Sequence, residues 1–380
     1  MIYFDNAATT LPCAEAVLAA EKVNSELFGN PSSAHIIGIA AENLVKNAEK
    51  KIKEFLPLSN CEIVFTSGAT ESNNSAIFSA ACHSPLKRRR VVTTQAEHLS
   101  SLMCFTELEK RGFEIVYVPI LESGLIDIEK FSHAIDERTA LVSFCHVNSE
   151  TGVIQPIGEL VDIVKSKNEH TFFHCDAAQS FGKIDIRFKN VDFISLSAHK
   201  IHGFKGVGAL YIKKDTPFTS LIFGGGQQNG KRGGTENTSG IASFGASVGT
   251  IAKNMARNYN SAENVKKHII ESCVSEYDEI YINGGENVSP FILNISVIGV
   301  RSEVMLHALE AENIFVSNGS ACSSRSKKSN AVAAYGLSES RADSAIRLSF
   351  SQNSTLDDAK IFVETLKKLA PNLRKYGKRR

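Results

Sequence analysis

The first part of the chain alternates short apolar runs with longer stretches of helical periodicity. Six apolar runs predict buried strands, over residues 62–65, 90–94, 113–118, 141–147, 171–175 and 192–196. Four stretches with apolar residues at helical spacing predict helices, over residues 37–55, 98–111, 128–135 and 157–167. Strands that alternate with helices are typical of a mostly parallel sheet with helices on both faces. We therefore predict an α/β fold for this part.

A long helical stretch begins near residue 241 and continues past residue 267, and the pattern changes after it. Strands are predicted over residues 279–283, 291–297 and 346–349, and helices over residues 302–312 and 356–369. This mixture of strands and helices favours a smaller α+β domain. The chain length of 380 residues also indicates two domains, because a single hydrophobic core usually divides above roughly 250–300 residues. We predict a large domain over residues 15–256 and a small domain formed by residues 1–14 and 257–380, with a cleft between them.

Composition and charge exclude several classes of protein. Hydrophobic residues make up 43% and charged residues 22%, and the net charge is +1, so no overall field favours nucleic acid or an anionic membrane. No apolar run reaches the ~18 residues of a membrane span, and the N-terminus lacks a basic segment followed by an apolar one. We expect a cytoplasmic protein that makes no contact with a membrane.

The eight cysteines include no Cys-x-x-Cys pair, and we expect reduced thiols. Cys145 and Cys175 lie inside predicted strands and suit a packing role. Cys322 differs, because it lies in a polar segment with Arg325, Lys327 and Lys328 close behind it. Exposure and nearby positive charge favour a reactive thiolate.

A carboxylate and an amine follow two neighbouring predicted strands. Asp176 comes directly after the strand at 171–175, and Lys200 follows the strand at 192–196. Ligands bind at the carboxyl ends of strands in open α/β sheets, because side chains there face a crevice. The pair suits a Schiff-base lysine and an acid that keeps a pyridine nitrogen protonated. A helix-capping Asp and an ordinary surface Lys would explain the same residues.

The turn after the predicted strand at 62–65 has small residues and is rich in hydroxyl groups. Its sequence is Thr66-Ser67-Gly68-Ala69-Thr70-Glu71-Ser72. Free backbone N–H groups at the start of a helix bind anions, so the turn suits a phosphate group. An ordinary helix cap with a capping-box Glu is the alternative. His98 and Asn148 also fall at strand ends, which would place them with Asp176 on one rim.

A glycine-rich segment nearly matches a nucleotide-binding motif. Residues 225–231 fit the spacing Gly-x-x-x-x-Gly-Lys, but Arg232 stands where a Ser or Thr should bind magnesium. The segment also continues through Gly233-Gly234-Thr235-Glu236-Asn237 instead of opening a helix at once. We reject a nucleoside triphosphatase on these grounds.

The order and spacing of short motifs along the whole chain resemble those of the cysteine desulfurases. These enzymes belong to the class V aminotransferase group of fold-type I pyridoxal-phosphate enzymes. The resemblance includes Asp176-Ala177-Ala178-Gln179-Ser180 and Ser197-Ala198-His199-Lys200. The other matching stretches are residues 5–10, 29–33, 65–72, 97–98, 146–148, 232–237, 319–322 and 346–347. The resemblance implies the PLP-dependent transferase fold, with a seven-stranded type of sheet in the large domain.

The resemblance also implies a role for each matched residue. Lys200 would form a Schiff base with pyridoxal 5'-phosphate and move protons, Asp176 would pair with the ring nitrogen, and His98 would stack on the ring. Asn148 and Gln179 would contact the ring hydroxyl. The residues implied for the phosphate are Ala69, Thr70, Ser197, His199 and, from the neighbouring subunit of a homodimer, Thr235.

The substrate implied by the resemblance is L-cysteine. Asn148 and Arg347 would bind it, with the planar guanidinium of Arg347 on its carboxylate. Cys322 would attack its sulfur, which leaves L-alanine and a persulfide on the enzyme. A selenocysteine lyase, another class V aminotransferase and a non-catalytic pyridoxal-phosphate-binding regulator are the alternatives. A reactive Cys322 argues against the other two enzymes, since neither chemistry needs a protein thiol.

Sulfur acceptors implied by the resemblance are an iron–sulfur scaffold protein and a tRNA-thiolation enzyme. The chain lacks the longer C-terminal tail with which some members engage their scaffold, so both destinations stay open. Basic residues at 87–90, after Cys322 and near the C-terminus could face an acidic acceptor or tRNA. Simple solvation of these charges is the alternative.

Overall fold

A seven-stranded sheet forms the centre of the larger part of the molecule, in the order β2-β8-β7-β6-β5-β3-β4. The computed structural model describes residues 1–56, 58, 60–274, 279–318 and 334–377. The strands are β2 (Cys61–Thr66), β3 (Arg90–Thr93), β4 (Glu114–Tyr117), β5 (Thr139–Cys145), β6 (Phe172–Asp176), β7 (Phe193–Ser197) and β8 (Gly208–Lys213). All neighbouring pairs among β3 to β7 are parallel, and β8 is antiparallel to both β2 and β7. The mostly parallel α/β fold predicted from the sequence is confirmed.

The helices around this sheet follow the predicted pattern. They are α1 (Ala14–Ser25), α2 (Ile36–Phe55), α3 (Ala69–His83), α4 (Leu99–Lys110), α5 (Ile128–Ala134), α6 (Ile157–Lys167) and the long α7 (Thr238–Val274). In α6 the buried residues are Ile157, Leu160, Val161 and Val164, which recur at the spacing of one helix face. Two hydrophobic clusters cover the two faces of the sheet, one around Phe173 and Phe244 and one around Ile77 and Phe105.

Strand β8 was missing from the sequence-based prediction. The strand begins at Gly208, the last of three closely spaced glycines (Gly203, Gly206 and Gly208) that follow Lys200 in the sequence. The strand returns antiparallel to β7 directly after it, so no crossover helix marks its position. It inserts between β7 and β2 and thereby brings the end of β2 close to the end of β7.

A second core packs the remaining elements. A three-stranded antiparallel sheet has the order β12-β10-β9, with β9 (Ile280–Asn283), β10 (Ile292–Val297) and β12 (Ala345–Ser349). A two-stranded parallel sheet pairs β1 (Ile2–Tyr3) with β11 (Ile314–Phe315). The helices of this part are α8 (Ser302–Ala311), α9 (Glu339–Asp343) and α10 (Leu356–Gly377).

Helix α7 contributes side chains to both cores. Ile241 and Ile251 belong to the cluster on the large sheet, whereas Ala262 and Cys273 belong to the second core. Ile2 and Phe4 from the N-terminus also pack in the second core. The boundary between residues 256 and 257 falls between the two sets on α7, and the domain division stays a prediction. Among the helices that the structure describes, none is long and apolar enough to cross a membrane.

Candidate active site

The carboxyl ends of β5, β6 and β7 lie side by side and place the candidate residues at one edge of the sheet. Cys145 is the register partner of Asp176, and Asp176 is the partner of Ser195. Strand β7 ends at Ser197 and passes into a single 3-10 turn, Ala198–Lys200. The structure therefore brings Asp176 and Lys200 to the same edge, as the sequence indicated.

The Lys200 amine is held by the N-terminal segment. Its Nζ donates to the carbonyl oxygens of Ala7 at 2.6 Å and Ala8 at 2.8 Å. Thr10 fixes this segment in turn, because its backbone N–H and its hydroxyl both donate to the His199 carbonyl at 2.9 Å. The N-terminal turn with Ala7 and Ala8 is thus part of the site, although it is distant from Lys200 in sequence.

Asp176 is buried, and two donors fix its carboxylate. Asn73 Nδ2 donates to Asp176 Oδ2 at 2.7 Å, and the Ala178 N–H donates to Oδ1 at 2.9 Å. The side chain is only 7% exposed. These two hydrogen bonds fix the orientation of the carboxylate. Asp176 can therefore face a cationic group in the cleft.

A hydrogen-bonded chain connects Asp176 with His98. Asn73 Nδ2 also donates to Ser100 Oγ at 2.8 Å, and Ser100 Oγ lies 2.7 Å from His98 Nδ1. His98 caps helix α4, since its Nδ1 accepts from the Ser100 N–H at 3.2 Å. This contact requires an unprotonated Nδ1 and places the proton of the neutral ring on Nε2.

The His98 ring is exposed but still lies among protein atoms that exclude part of the solvent. This partial desolvation lowers the pKa of His98, while the negative charge of Asp176 acts in the opposite direction and Lys200 adds to the decrease. A neutral ring is the form that caps α4. It is also the form that can stack on another aromatic ring without carrying a second positive charge.

Asn148 and Gln179 are both buried and already hydrogen bonded. Asn148 Nδ2 donates to the Ala96 carbonyl at 2.9 Å, while its Oδ1 accepts from the Thr151 N–H at 3.0 Å and the Thr151 hydroxyl at 3.1 Å. Gln179 Nε2 donates to the Ala7 carbonyl at 2.9 Å. Each amide NH₂ group has a second hydrogen. Both side chains can therefore donate once more, which is what a ring hydroxyl oxygen needs.

The turn between β2 and α3 forms an anion-binding cradle. Gly68 precedes α3 with φ +153°, and a Cβ atom built on it would find no atom within 4 Å, so the space beside it is open. No side chain caps α3, whose first N–H groups, including those of Ala69 and Thr70, lack partners within the helix. The N-terminus of a helix of this length favours a phosphate group.

Strand β8 closes the cradle on its other side. Gly208 is the register partner of both Thr66 and Ser197. A Cβ atom on Gly208 would lie 2.6 Å from Gly68 Cα and 2.5 Å from the Leu196 carbonyl oxygen. The close approach needs glycine and places Ser197 beside the cradle. Burial, followed by the charges of Lys200, Lys183 and Lys205, lowers the pKa of His199 to about 4.

An ion pair stiffens the cradle from outside. Arg232 Nε lies 3.0 Å from Glu71 Oε1, and Glu71 Oε2 accepts from the Ser67 N–H at 2.8 Å. Burial alone would raise the pKa of Glu71, but the hydrogen bonds from Arg232 and Ser67 lower it below its ordinary value. Arg232, which stands where the nucleotide-binding motif requires a Ser or Thr, thus supports the turn between β2 and α3.

Thr235 is exposed and lines a cavity of about 150 Å³ beside the cradle, together with Ser67 and Arg232 of the same chain. Its contact with the phosphate of a neighbouring subunit stays a prediction.

Arg347 on β12 faces the site from the second core and is 4% exposed. Its guanidinium contacts Asp5 Oδ1 at 2.7 Å through Nη2 and the Ser149 carbonyl at 2.9 Å through Nη1. Its Nε is buried without a hydrogen-bond partner in the described part of the chain. Arg347 is therefore fixed by two contacts and retains donors for a carboxylate.

Cys322 lies outside the described residues, but the chain on both sides of it is anchored at the site. Ser317 exchanges two backbone hydrogen bonds with Arg347, at 3.1 and 2.7 Å. On the other side, the buried Tyr335 places its hydroxyl 2.6 Å from Thr151 Oγ1, which contacts Asn148. The described chain therefore stops at residue 318 and resumes at residue 334 close to residues predicted to bind the substrate.

Sequence reasoning gave no role to two residues that complete the site. Asn73 is fully buried in α3 and supports Asp176, and its Oδ1 has no hydrogen-bond partner among the described residues. Glu97 accepts from the Cys145 N–H at 2.6 Å, and burial together with the charge of Asp176 raises its pKa to about 7. In the sequence Glu97 stands out only as part of a motif, and nothing there distinguishes Asn73 from the half-buried Asn74.

Comparison with known proteins identifies the family of the chain. The model of the aminotransferase class-V family matches residues 2–362. The chain belongs to this family. Within the class-V family, it is 37% identical to the cysteine desulfurase IscS of Clostridium botulinum over 99% of this chain and 96% of the relative. It is also 37% identical to the cysteine desulfurase IscS of Pseudoalteromonas translucida, over 99% of this chain and 94% of that protein.

Solved structures of class-V relatives have the same fold. A NifS-like protein superposes with a TM-score of 0.91 at 33% identity. The match covers 98% of this chain and 100% of that protein. SspA, solved in complex with cysteine, superposes with a TM-score of 0.81 at 34% identity over 93% of this chain and 99% of that one. The fold type I assignment made from the sequence is confirmed.

The class-V aminotransferases use pyridoxal phosphate, and the residues present fit this group. The α3 cradle suits its phosphate, the hydrogen-bonded Asp176 suits its pyridine nitrogen, and the Lys200 amine suits its aldehyde. All three lie at one edge of the central sheet, where open α/β folds bind ligands.

Proposed function

We propose that this protein is a pyridoxal-phosphate-dependent cysteine desulfurase. It converts L-cysteine to L-alanine and transfers the sulfur to a cysteine of its own chain. The observation that carries the proposal is the placement of Lys200 and Asp176 beside an anion cradle, in a chain 37% identical to cysteine desulfurases over nearly its whole length. The cofactor and the reaction follow from the family, whereas the role of each residue below is a proposal.

Bound pyridoxal phosphate supplies an electron-withdrawing ring that stabilises negative charge at the α-carbon of the substrate. Asp176, fixed by Asn73 and Ala178, would pair with the ring nitrogen. The neutral His98 would stack on the ring, and Asn148 and Gln179 would each donate an amide hydrogen to the ring hydroxyl group. The α3 cradle, Ser197 and His199 would hold the phosphate.

Lys200 has two tasks. Its amine would hold the cofactor, and the same amine takes the proton from the substrate α-carbon and later returns a proton. The Ala7 and Ala8 carbonyls fix the amine for this transfer. Arg347, with Asn148 nearby, binds the substrate carboxylate.

Cys322 is the sulfur acceptor within the chain. Its thiolate attacks the substrate sulfur, so that a new S–S bond forms while the bond between the substrate sulfur and its β-carbon breaks. The electron pair of the broken bond stays on carbon, which is protonated. The balance is one enzyme thiol and one L-cysteine converted to one enzyme persulfide and one L-alanine, without an external oxidant or reductant.

We further propose that the protein is a cytoplasmic homodimer that passes its sulfur to an iron–sulfur scaffold or to a tRNA-thiolation enzyme. Exposed apolar side chains support self-association: Phe28 is 69%, Ile36 82% and Phe223 83% exposed. The last of these precedes the segment with Thr235, which is predicted to reach the neighbouring subunit.

The proposal is tested with the Lys200→Ala variant. We expect it to lose the visible absorbance of the bound cofactor and all production of alanine from cysteine, because Lys200 is the amine proposed to hold the cofactor and to move the protons. Lys213→Ala, at the far end of β8, is the control and should keep both. A Lys200→Ala variant that still forms alanine at the parent rate would refute the assignment.

A further inference from the structure

A second lysine lies buried beside Lys200. Lys183 is 6% exposed, and its Nζ donates to Gln179 Oε1 at 3.1 Å. Gln179 Nε2 donates to the Ala7 carbonyl oxygen at 2.9 Å, and Lys200 Nζ donates to that same oxygen at 2.6 Å. The two amines are therefore connected through one side-chain amide and one carbonyl group.

The burial of Lys183 is not explained by an ion pair. Removing an ammonium group from water is unfavourable unless a negative group compensates it. No carboxylate contacts Lys183 in the part of the chain that the structure describes; its only recorded hydrogen-bond acceptor there is the neutral Gln179. A group that is costly to bury and lies next to the reactive amine is a candidate for a role in the reaction.

The space around Lys183 is too small for a ligand of its own. Lys183 and Lys200 line one cavity of about 20 Å³, together with Thr10, Ile201 and Ser351. This volume can hold about one water molecule. Any effect of Lys183 on the chemistry must therefore act through Gln179, through Lys200 or through its charge.

Two contacts determine which way Gln179 points. An ammonium group has only donors, so Lys183 contacts Gln179 only at Oε1, and the Ala7 carbonyl oxygen accepts only from Nε2. The second hydrogen of Nε2 remains for the cleft. Without Lys183, Oε1 loses its donor and the amide keeps only the contact with Ala7 among the described residues.

The negative groups near the two amines already have other partners. The surrounding charged or titratable groups are Asp5, His98, Asp176, His199, His202 and Arg347. Asp176 is bonded to Asn73, and Asp5 is paired with Arg347. Burial first, then the charges of Lys200 and Arg347, lower the pKa of Lys183 to about 7. Repulsion between two cations is mutual, so Lys183 also opposes a positive charge on Lys200.

We propose that Lys183 is a positioning residue of the desulfurase: it fixes Gln179 as a donor toward the cleft, and its charge favours the proton-free, reactive form of the nitrogen at Lys200. The inference rests on the proposed function, because it assigns Lys200 as the amine that carries the cofactor.

The test is a pH titration of the visible absorbance of the holoenzyme in three variants. Lys183→Met removes both charge and hydrogen bond, Lys183→Gln keeps a hydrogen-bond donor without the charge, and Lys183→Arg keeps the charge. Removing a nearby positive charge makes protonation easier, so the midpoint should rise by about one pH unit in Lys183→Met and Lys183→Gln. It should stay at the parent value in Lys183→Arg.

A second measurement uses the apoenzyme. The rate at which it takes up pyridoxal phosphate at neutral pH depends on the proton-free fraction of the Lys200 amine. We expect this rate to fall several-fold in Lys183→Met and Lys183→Gln and to be restored in Lys183→Arg. Urea unfolding of each apoenzyme variant records the loss of stability that a purely structural lysine would show.

Lys266 provides a matched control. It is also a buried lysine, 8% exposed, and its Nζ donates to the Ser289 carbonyl at 2.8 Å. Burial lowers its pKa to about 8. Lys266→Met should reduce stability, as Lys183→Met does, but leave the absorbance midpoint and the uptake rate unchanged.

The outcomes separate the two proposals. Parent protein that gains no visible absorbance with pyridoxal phosphate would overturn the proposed function and this inference with it. Coloured parent protein, with Lys183→Gln titrating at the parent midpoint, would overturn the inference about Lys183 alone. A raised midpoint in Lys183→Met and Lys183→Gln, with the parent value in Lys183→Arg and Lys266→Met, is the result we expect.

Discussion

At the scale of single residues, the strongest predictions came from side chains at strand ends. Asp176 and Lys200 could be placed at one edge of the sheet because parallel strands end on the same side. Asn73 could not be found in this way. It lies on a helix whose buried positions include Ser72, Asn73, Ser75 and Ser79, and buried polar residues in a helix do not follow the apolar periodicity that indicates a buried face.

Asn73 gives a prediction at this scale. The Asn73→Ala variant removes the side-chain donor from Asp176, and a hydrogen bond to a charged group contributes about 1.5–3 kcal/mol. We expect the cofactor to bind roughly tenfold to a hundredfold more weakly, because the carboxylate loses its fixed orientation. Equilibrium dialysis against pyridoxal phosphate measures the change.

The neighbouring Asn74→Ala variant is the control for this prediction. Asn74 lies on the same turn of α3, but its Nδ2 donates to the Thr70 carbonyl at 2.9 Å and not to Asp176. Its cofactor affinity should stay close to that of the parent. Equal affinities of parent and Asn73→Ala would show that Asp176 does not depend on Asn73.

At the scale of secondary-structure elements, the alternation of strands and helices predicted most of the central sheet. Strand β8 was missed for a physical reason. It is antiparallel to both neighbours and follows β7 without a crossover helix, so no periodic helix separates it from the loop after Lys200. The glycines after Lys200 are visible in the sequence. The close approach of β8 to Gly68, which Gly208 permits, is visible only in the structure.

Gly208 gives a prediction at the element scale. Its φ is not in the left-handed region, so the effect of Gly208→Ala comes from the close contact of the added methyl group with Gly68 and Leu196. Overpacking of this kind costs about 1–3 kcal/mol. We expect a lower midpoint of urea unfolding and weaker cofactor binding, since the shift displaces the cradle.

Gly158→Ala is the matched control. Gly158 lies in α6, and its added Cβ would meet only Phe188 Cβ, at 3.7 Å, which is an ordinary contact. Alanine in a helix is favoured over glycine by about 0.5–1 kcal/mol, so this variant should be as stable as the parent or slightly more stable. A Gly208→Ala variant with parent stability and parent cofactor affinity would contradict the close approach.

At the scale of the whole molecule, the sequence predicted two domains but not how the chain returns to the site. The N-terminal residues pack in the second core and then supply the Ala7 and Ala8 carbonyls that hold Lys200. Backbone carbonyls carry no sequence signature, so these contacts required a structure. The placement of Cys322 remains a prediction from the sequence.

The dimer gives a prediction at this scale. If Thr235 completes the phosphate site of the neighbouring subunit, each site needs Lys200 from one chain and Thr235 from the other. Lys200→Ala and Thr235→Ala proteins, each inactive or weak alone, should then regain about a quarter of the parent activity when unfolded together and refolded as a mixture. Half of the dimers would be mixed, and one site in each would be intact.

The matching control refolds each variant by itself, which should restore nothing. Activity of the mixture no greater than the average of the two separate variants would show that Thr235 acts within its own chain or not at all. Sedimentation of the refolded samples confirms that dimers were formed.

The most direct test of the account follows the sulfur itself. Holoenzyme is mixed with one equivalent of L-cysteine without reductant. The protein is then digested, and the masses of its peptides are measured by mass spectrometry. We predict one added sulfur atom on the peptide with Cys322 and an equal amount of L-alanine, and neither the sulfur nor sulfide release in Cys322→Ser, which keeps its visible absorbance. Sulfide release at the parent rate from Cys322→Ser in a parallel reaction with reductant, or the added sulfur on another cysteine of the parent, would contradict the account.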